Sequence, residues 1–367
     1  MAKSSKSKPR ENPQLRLKEL GQDLAQQIQK GKNPEMEFGL RSLSNVVYDT
    51  KSRTLNLGSK TQTRSFFNVG HAKKFLQTVE MAKVSKTLLD VEKHASLRDV
   101  FYMAKRTIPN STINIVDEQA ESDSAIEDME LITGFSREQL NINANKMGSV
   151  AGEVTIEDAG DTINWARLGS GGWSIPSNVE SIEFNSVKAK YIIYMEKQAV
   201  WERLHEDKFW KKQNCIIVTS QGQTTRGIRR LLGRMSEEFK LPIYVLADND
   251  PWGYYIYSVL KFGSISLAHM TSSLAVPQAK FLGVTTKDIE EYGLKKHLIT
   301  FKDVDNTRLK QIMDYDWFKN NKPWQKEFTA MKRNGAKVEI QSLSSRGITF
   351  ISDTYLPEKI KRQDFLD

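Results

Sequence analysis

The chain has 367 residues, 39% hydrophobic and 27% charged, with a net charge of +9 at pH 7. That length can bury two cores, and its longest apolar runs, such as 191–195, are far too short to span a bilayer. A single cysteine, Cys215, excludes an internal disulfide and a cysteine-based zinc cluster, so an intracellular protein is expected, with a polyanion as partner.

Residues 1–10 are basic and polar, read as disordered, and lack the apolar core of a signal peptide. Helical spacing covers 13–30, and 37–47 with 54–57 reads as a small hairpin. A strong helical pattern runs from His71 through Leu89. A second helix opens at Ser96, an N-cap residue, and reaches Lys105. A third covers 122–133, and Gly134 and Ser136 turn the chain into a fourth over 137–145. Two short strands, 153–156 and 162–165, then flank a tight glycine turn. Helices followed by such a hairpin are the order of a winged helix (CAP-like), a DNA-docking module.

Residues 166–180 are rich in glycine and serine without a period, which marks a domain boundary. Beyond 186, candidate strands at 190–195, 214–219, 242–247 and 264–269 alternate with helices, as a parallel sheet requires, and 326–335 is a further helix. The chain is therefore expected to be α/β and multi-domain. A basic N-terminal extension over 1–68, a candidate partner contact, precedes a winged-helix domain over 69–165. A linker over 166–185 leads to a sheet domain over 186–367.

Two of the strand segments end abruptly in acid. The run Lys190-Tyr-Ile-Ile-Tyr-Met is followed by Glu196, and Tyr244-Val-Leu-Ala by Asp248-Asn-Asp250. The carboxyl edge of an open α/β sheet is where ligands bind, and three carboxylates there offer the hard oxygen ligands that suit Mg²⁺. The competing reading is that these acids are helix caps or turn residues.

Two basic faces stand out. The helix after the 214–219 strand carries Arg226, Arg229, Arg230 and Arg234 on one broad side, a candidate ridge along a phosphate backbone; a solvated helix face is the alternative. On the 96–106 helix, Tyr102 falls with Arg98, Lys105 and Arg106, so a phenol sits where phosphate would be drawn. Such a tyrosine can attack a phosphodiester, although a rim residue packing its ring is the plainer reading. If tyrosine attacks, the break is stored as a phosphotyrosine ester and can be resealed; with water the result is a nuclease. The histidines (71, 94, 205, 269 and 297) show no metal-ligand spacing.

From about residue 69 to its end the sequence resembles the family of archaeal DNA topoisomerase VI A subunits, which includes the catalytic proteins of meiotic double-strand breaks. The most specific pieces are Ser96-Leu-Arg-Asp-Val-Phe-Tyr102, Gly169-Ser-Gly-Gly-Trp-Ser-Ile-Pro176, Met195-Glu-Lys197 and Leu246-Ala-Asp-Asn-Asp-Pro-Trp-Gly253. The resemblance implies a winged-helix domain carrying the cleaving tyrosine, Tyr102, and a Toprim, Rossmann-like domain whose Glu196, Asp248 and Asp250 bind Mg²⁺. Arg98 matches the basic residue that precedes the tyrosine and steadies the phosphate.

The implied activity is that of the cleavage subunit of a type IIB topoisomerase: Mg²⁺-dependent transesterification giving a reversible 5′-phosphotyrosyl double-strand break. Two copies would act across double-stranded DNA, the tyrosine of one against the metal site of the other. Strand passage needs ATP, yet no Gly-x-x-x-x-Gly-Lys-Ser/Thr loop is present. The resemblance supplies a separate GHKL-type ATPase B subunit in an A2B2 heterotetramer, with no membrane, on the cytoplasmic nucleoid. The loop Gly222-Gln-Thr-Thr-Arg226 departs from the family's Gly-x-Pro-Asp type, which leaves Thr224 and Thr225 without a role and puts Arg226 in question. Three alternatives stay open: a transesterase that does not reseal, a Toprim nuclease or primase-like enzyme, and a non-catalytic winged-helix scaffold.

Overall fold

The computed structural model describes residues 12–367; the basic segment 1–10 lies outside them. Two compact units emerge. One holds the described residues up to 45 together with 57–145, the other 46–56 together with 146–367.

The first unit is mainly helical. Asn12 caps α1 (Pro13–Gln29), with proline at the first helical position where its missing N–H costs nothing. Then come α2 (Val69–Asp90), α3 (Leu97–Ala104) and α4 (Gln119–Thr133), the last stopped by Gly134 in the left-handed conformation. Ser96 and Asp99 form a reciprocal capping box at the start of α3, which fixes where that short helix begins. Met81, Val100, Phe101, Ile126 and Met129 fill the core between α2, α3 and α4. Buried Asp128 of α4 takes Arg41 and Arg64, tying down the pair of antiparallel strands Glu35–Gly39 and Thr61–Ser65.

Two expectations change here. Only the end of the 37–47 segment, from Val46, pairs with 54–57, because Asn45 donates to the carbonyls of Leu40 and Lys60 and turns the chain in between. Glu35–Gly39 pairs with Thr61–Ser65, while Val46–Asp49 pairs with Thr54–Leu57. The helix expected over 137–145 is only a turn. Asn141 adopts φ +59°, which ends any helix, and Ile142–Asn143 then pairs in parallel with Ala95–Ser96.

The second unit is built on a six-stranded sheet: β1 (Ser149–Ala151), β2 (Trp173–Ser174), β3 (Ile192–Met195), β4 (Ile216–Thr219), β5 (Ile243–Leu246) and β6 (Lys280–Gly283). Their spatial order is β2-β1-β4-β3-β5-β6; the last four run parallel, and β1 and β2 are antiparallel additions. β3 and β4 are buried along their whole length, which explains why they read as unbroken apolar runs. Alternate residues feed two cores. Ile192, Tyr194, Ile216 and Val218 join a cluster with α6 (Arg226–Phe239), α7 (Pro251–Phe262) and α8 (Lys322–Asn334). Ile193, Met195 and Ile217 instead meet Trp201 and Leu204 of α5 (Gln198–Glu206).

The expected hairpin is present as Val154–Asp158 and Asp161–Asn164, extended by Glu183–Val187, and it belongs to this second unit. The glycine-rich stretch after it is also built in: Trp173 stacks on Trp165, and Ile175, Val179 and Ile182 are buried. The strand expected over 264–269 is a loop ending in a 3-10 turn, Ala268–Met270; the fourth parallel strand is β6. The serine–apolar alternation of 264–267 mimics a half-exposed strand, whereas this sheet position is buried through Phe281 and Leu282 and takes an apolar run. On the outer side of β6, Phe281 exchanges both backbone hydrogen bonds with Leu366, at 2.8 Å each. No helix among the described residues is long and apolar enough to cross a membrane.

Candidate active site

β3 and β5 are parallel neighbours with Met195 opposite Leu246, so the residues that follow them leave the sheet side by side. Glu196 comes directly after β3, its N–H on the Leu246 carbonyl at 3.3 Å and its own carbonyl accepting from Gly222 at 3.0 Å. Asp248 and Asp250 follow β5. Asp248 Oδ1 accepts the Ile340 N–H at 2.9 Å, and Oδ2 lies 2.8 Å from the Lys197 ammonium. Asp250 also caps α7, accepting the Gly253 N–H at 2.6 Å. The capping alternative thus describes one oxygen of one of the three acids.

Burial, and then the charges of Asp248 and Asp250, push the Glu196 carboxyl up to about 7. Burial chiefly pushes Asp250 up to about 6, with Asp248 adding to it, and raises Asp248 against the opposing pull of Lys197. Glu196 Oε2 is buried with no hydrogen-bond partner. Acids raised by burial, two of them also by another of the three, with oxygen-only donors and an orphaned oxygen together fit a hard divalent cation such as Mg²⁺. The tightest acidic trio among the described residues lies elsewhere: Asp288, Glu291 and Asp364, with ligand atoms within 4.8 Å. Lys359, Arg362 and Lys287 already face those three, so they form a neutralised ion-pair network rather than a cation site.

In the first unit, Val100, Phe101 and Ala104 turn into the core and leave Tyr102 pointing outward, 59% exposed. Arg98 donates from Nη2 to the Tyr102 hydroxyl at 3.1 Å, lies over its ring, and is steadied by Gln119 at 2.9 Å. Lys105 is exposed and lies over the Phe101 ring, while Arg106 is held at 2.6 Å by the buried Glu80 of α2. Of this basic group, Arg98 is the cation that touches the phenol.

The arginine ridge expected on α6 is not a solvent-facing ridge. Arg226, Arg229 and Arg234 are buried. Arg229 donates to the Leu274 carbonyl at 3.1 Å, and burial with the nearby Arg226 charge pushes its pKa down to about 9. Arg234 donates to the carbonyls of Val179 and Ile182 and to Glu238, while Arg230 pairs with Glu180 and Glu237. The segment around 179–182 folds over this face and supplies acceptors that helical spacing cannot foretell. The two threonines left without a role are structural: Thr225 caps α6, and the Thr224 hydroxyl meets that of Tyr194 at 2.7 Å.

Sequence reasoning passed over Lys197, although it stands next to Glu196 in a quoted motif, and also Asn249, whose side chain reaches the Tyr254 hydroxyl at 2.7 Å.

Known proteins are similar to this chain in sequence. Residues 191–360 match the family model for the Toprim domain of the topoisomerase 6 A subunit and Spo11. Residues 73–142 match the type IIB DNA topoisomerase model, and 139–188 the all-beta domain of the DNA topoisomerase VI alpha subunit. The A subunit of type 2 DNA topoisomerase 6 from Pyrococcus abyssi is 41% identical, the alignment covering 99% of this chain and 100% of that protein. Those of Hyperthermus butylicus and Saccharolobus shibatae are each 38% identical, covering 96% and 94% of this chain and 95% and 93% of theirs.

Proposed function

The chain belongs to the family of type IIB DNA topoisomerase A subunits, the DNA-cleaving subunits, and on that premise we propose that Tyr102 is its nucleophile and Glu196, Asp248 and Asp250 its Mg²⁺ ligands. The Tyr102 oxygen attacks a backbone phosphorus, forming the phosphotyrosyl ester on the 5′ side and breaking the bond to the 3′ oxygen. The phenolic proton is lost and the departing 3′ oxygen gains one. In the metal-free protein Glu196 holds a proton near neutrality; as a ligand it would be held charged by the cation, so the proton for the 3′ oxygen is drawn from solvent and the phenolic proton passes to solvent. Arg98, already on the phenol oxygen, stabilises charge as it develops on the phosphate. Magnesium, when bound, offsets the negative charge of the phosphate and the leaving oxygen. Run backwards, the same step reseals the strand.

The observation that carries this reading is the exit of Glu196, Asp248 and Asp250 side by side from registered parallel strands, with a Glu196 oxygen that the described protein leaves unsatisfied. We further propose that α2, α3 and α4 dock on duplex DNA as the helical part of a winged-helix module. Two copies act together, each cutting one strand, and an ATPase B subunit completes an A2B2 assembly on the nucleoid.

The test is a covalent adduct. Duplex DNA incubated with protein and Mg²⁺, then quenched with detergent, should carry protein on its 5′ ends. Tyr102→Phe should bind DNA as before and give no adduct. An adduct formed by that variant removes Tyr102 from the mechanism.

A further inference from the structure

Glu327 of α8 lies 77 residues beyond Asp250 and is buried, with no cation paired to it among the described residues. One of its oxygens, Oε1, collects three donors: the Thr286 N–H at 2.6 Å, the Tyr254 hydroxyl at 2.5 Å and, more weakly, the Asn249 amide at 3.4 Å. Tyr254 closes the chain by accepting from the same Asn249 amide at 2.7 Å. Burial and the Glu327 charge push the Tyr254 phenol well up, which keeps its proton in place as the link. Asn249 is the residue between the two aspartates, and Val338 holds its backbone on both sides at 2.9 and 3.1 Å.

In extended chain, successive side chains point to opposite faces. Asp250 is extended, at φ −150° and ψ 164°, so an Asn249 held inward aims its two neighbours outward. A buried carboxylate that loses a proton in an apolar setting is costly unless hydrogen bonds compensate it. Glu327 meets that condition with three donors, two of which are Asn249 of the aspartate loop and the Tyr254 that holds it. We infer that Glu327 is a positioning residue for the metal site, fixing through Tyr254 the rotation of Asn249 and hence the aim of Asp248 and Asp250. This rests on those acids being the metal ligands.

The experiment measures Mn²⁺ binding to the intact protein without DNA, by electron paramagnetic resonance, well below the melting temperature. Outer-shell partners of metal ligands change affinity by roughly 10- to 100-fold. Glu327→Ala and Tyr254→Phe should each weaken Mn²⁺ binding about tenfold. Glu327→Gln, whose amide oxygen still accepts from Tyr254 and Thr286, should stay within about threefold. In cleavage assays the half-saturating Mg²⁺ should rise in the first two variants while the maximal rate is largely kept.

Asp250→Asn is the control for the underlying reading. If it leaves Mn²⁺ affinity unchanged, the acids are not the site and the proposed function falls. If it weakens binding while Glu327→Ala and Tyr254→Phe bind within twofold of wild type, the positioning role is overturned. Tyr254→Phe keeps the ring packing, so it decides the matter should Glu327→Ala not fold. A Glu327 that only supports the core would lower the melting temperature and leave Mn²⁺ affinity alone.

Discussion

Glu196 couples the stability of the metal-free protein to pH, with a sign opposite to that of most carboxylates. Its carboxyl is pushed up from an ordinary 4.5 to about 7. Between those values the folded protein holds a proton that the unfolded chain has released, so stability falls as pH rises through that window. The contribution is fully present below about 4.5 and lost above about 7. At 1.36 kcal/mol per pKa unit, a rise of this size corresponds to about 3 kcal/mol. Glu196→Gln removes the titration while nearly preserving shape. In the presence of chelator, the stability of wild type relative to this variant should therefore drop by up to about 3 kcal/mol between pH 5 and pH 8. Scanning calorimetry would show this as a relative shift of about 6 °C. Saturating Mg²⁺ should abolish most of the difference, because a cation among the acids favours their charged forms. If wild type gains on the variant as pH rises, or the gap is flat in chelator, then Glu196 does not carry a desolvated charge and the electrostatic account of the site is wrong.

Arg98→Ala should slow formation of the phosphotyrosyl adduct roughly a hundredfold, the usual loss for one donor to developing charge. A rapid-quench time course at saturating DNA checks this, and an unchanged rate would leave Arg98 a mere ring-packing partner. Arg234→Gln should destabilise by about 2 kcal/mol, since the buried carbonyls of Val179 and Ile182 lose their donor. The same variant should leave the salt dependence of duplex binding as it was, because a buried guanidinium releases no counterions; a flatter slope would restore it to the DNA face.

Strands buried along all or nearly all of their length announce themselves, so β3, β4 and β5 were readable as apolar runs, and the acids closing two of them followed directly. The α3 cap and its outward tyrosine were equally local, set by Ser96, Asp99 and a spacing of one helical turn. What escaped depends on partners distant in the chain. The α6 arginines have the composition of a phosphate-binding face, and only the carbonyls 52 to 55 residues upstream of Arg234 decide otherwise. Glu327 has no motif around it, because its meaning lies in a hydroxyl 73 residues away. The pairing of 35–39 was misjudged for a related reason: strand pattern fixes which face is buried, not which strand comes alongside.

The bridge between Phe281 and Leu366 bears on how copies of this protein can meet. A parallel sheet ending in a bare strand is an invitation to any extended segment that passes, its own kind included. Here a single residue near the end of the chain occupies that place, and Asp367 beside it is gripped by Lys261 and Arg53. Recruitment by strand addition is thereby blocked along β6 around Phe281, and self-association there must work through side-chain surfaces. Such surfaces can separate and rejoin without unravelling a sheet, which suits the proposed action of two copies on one duplex.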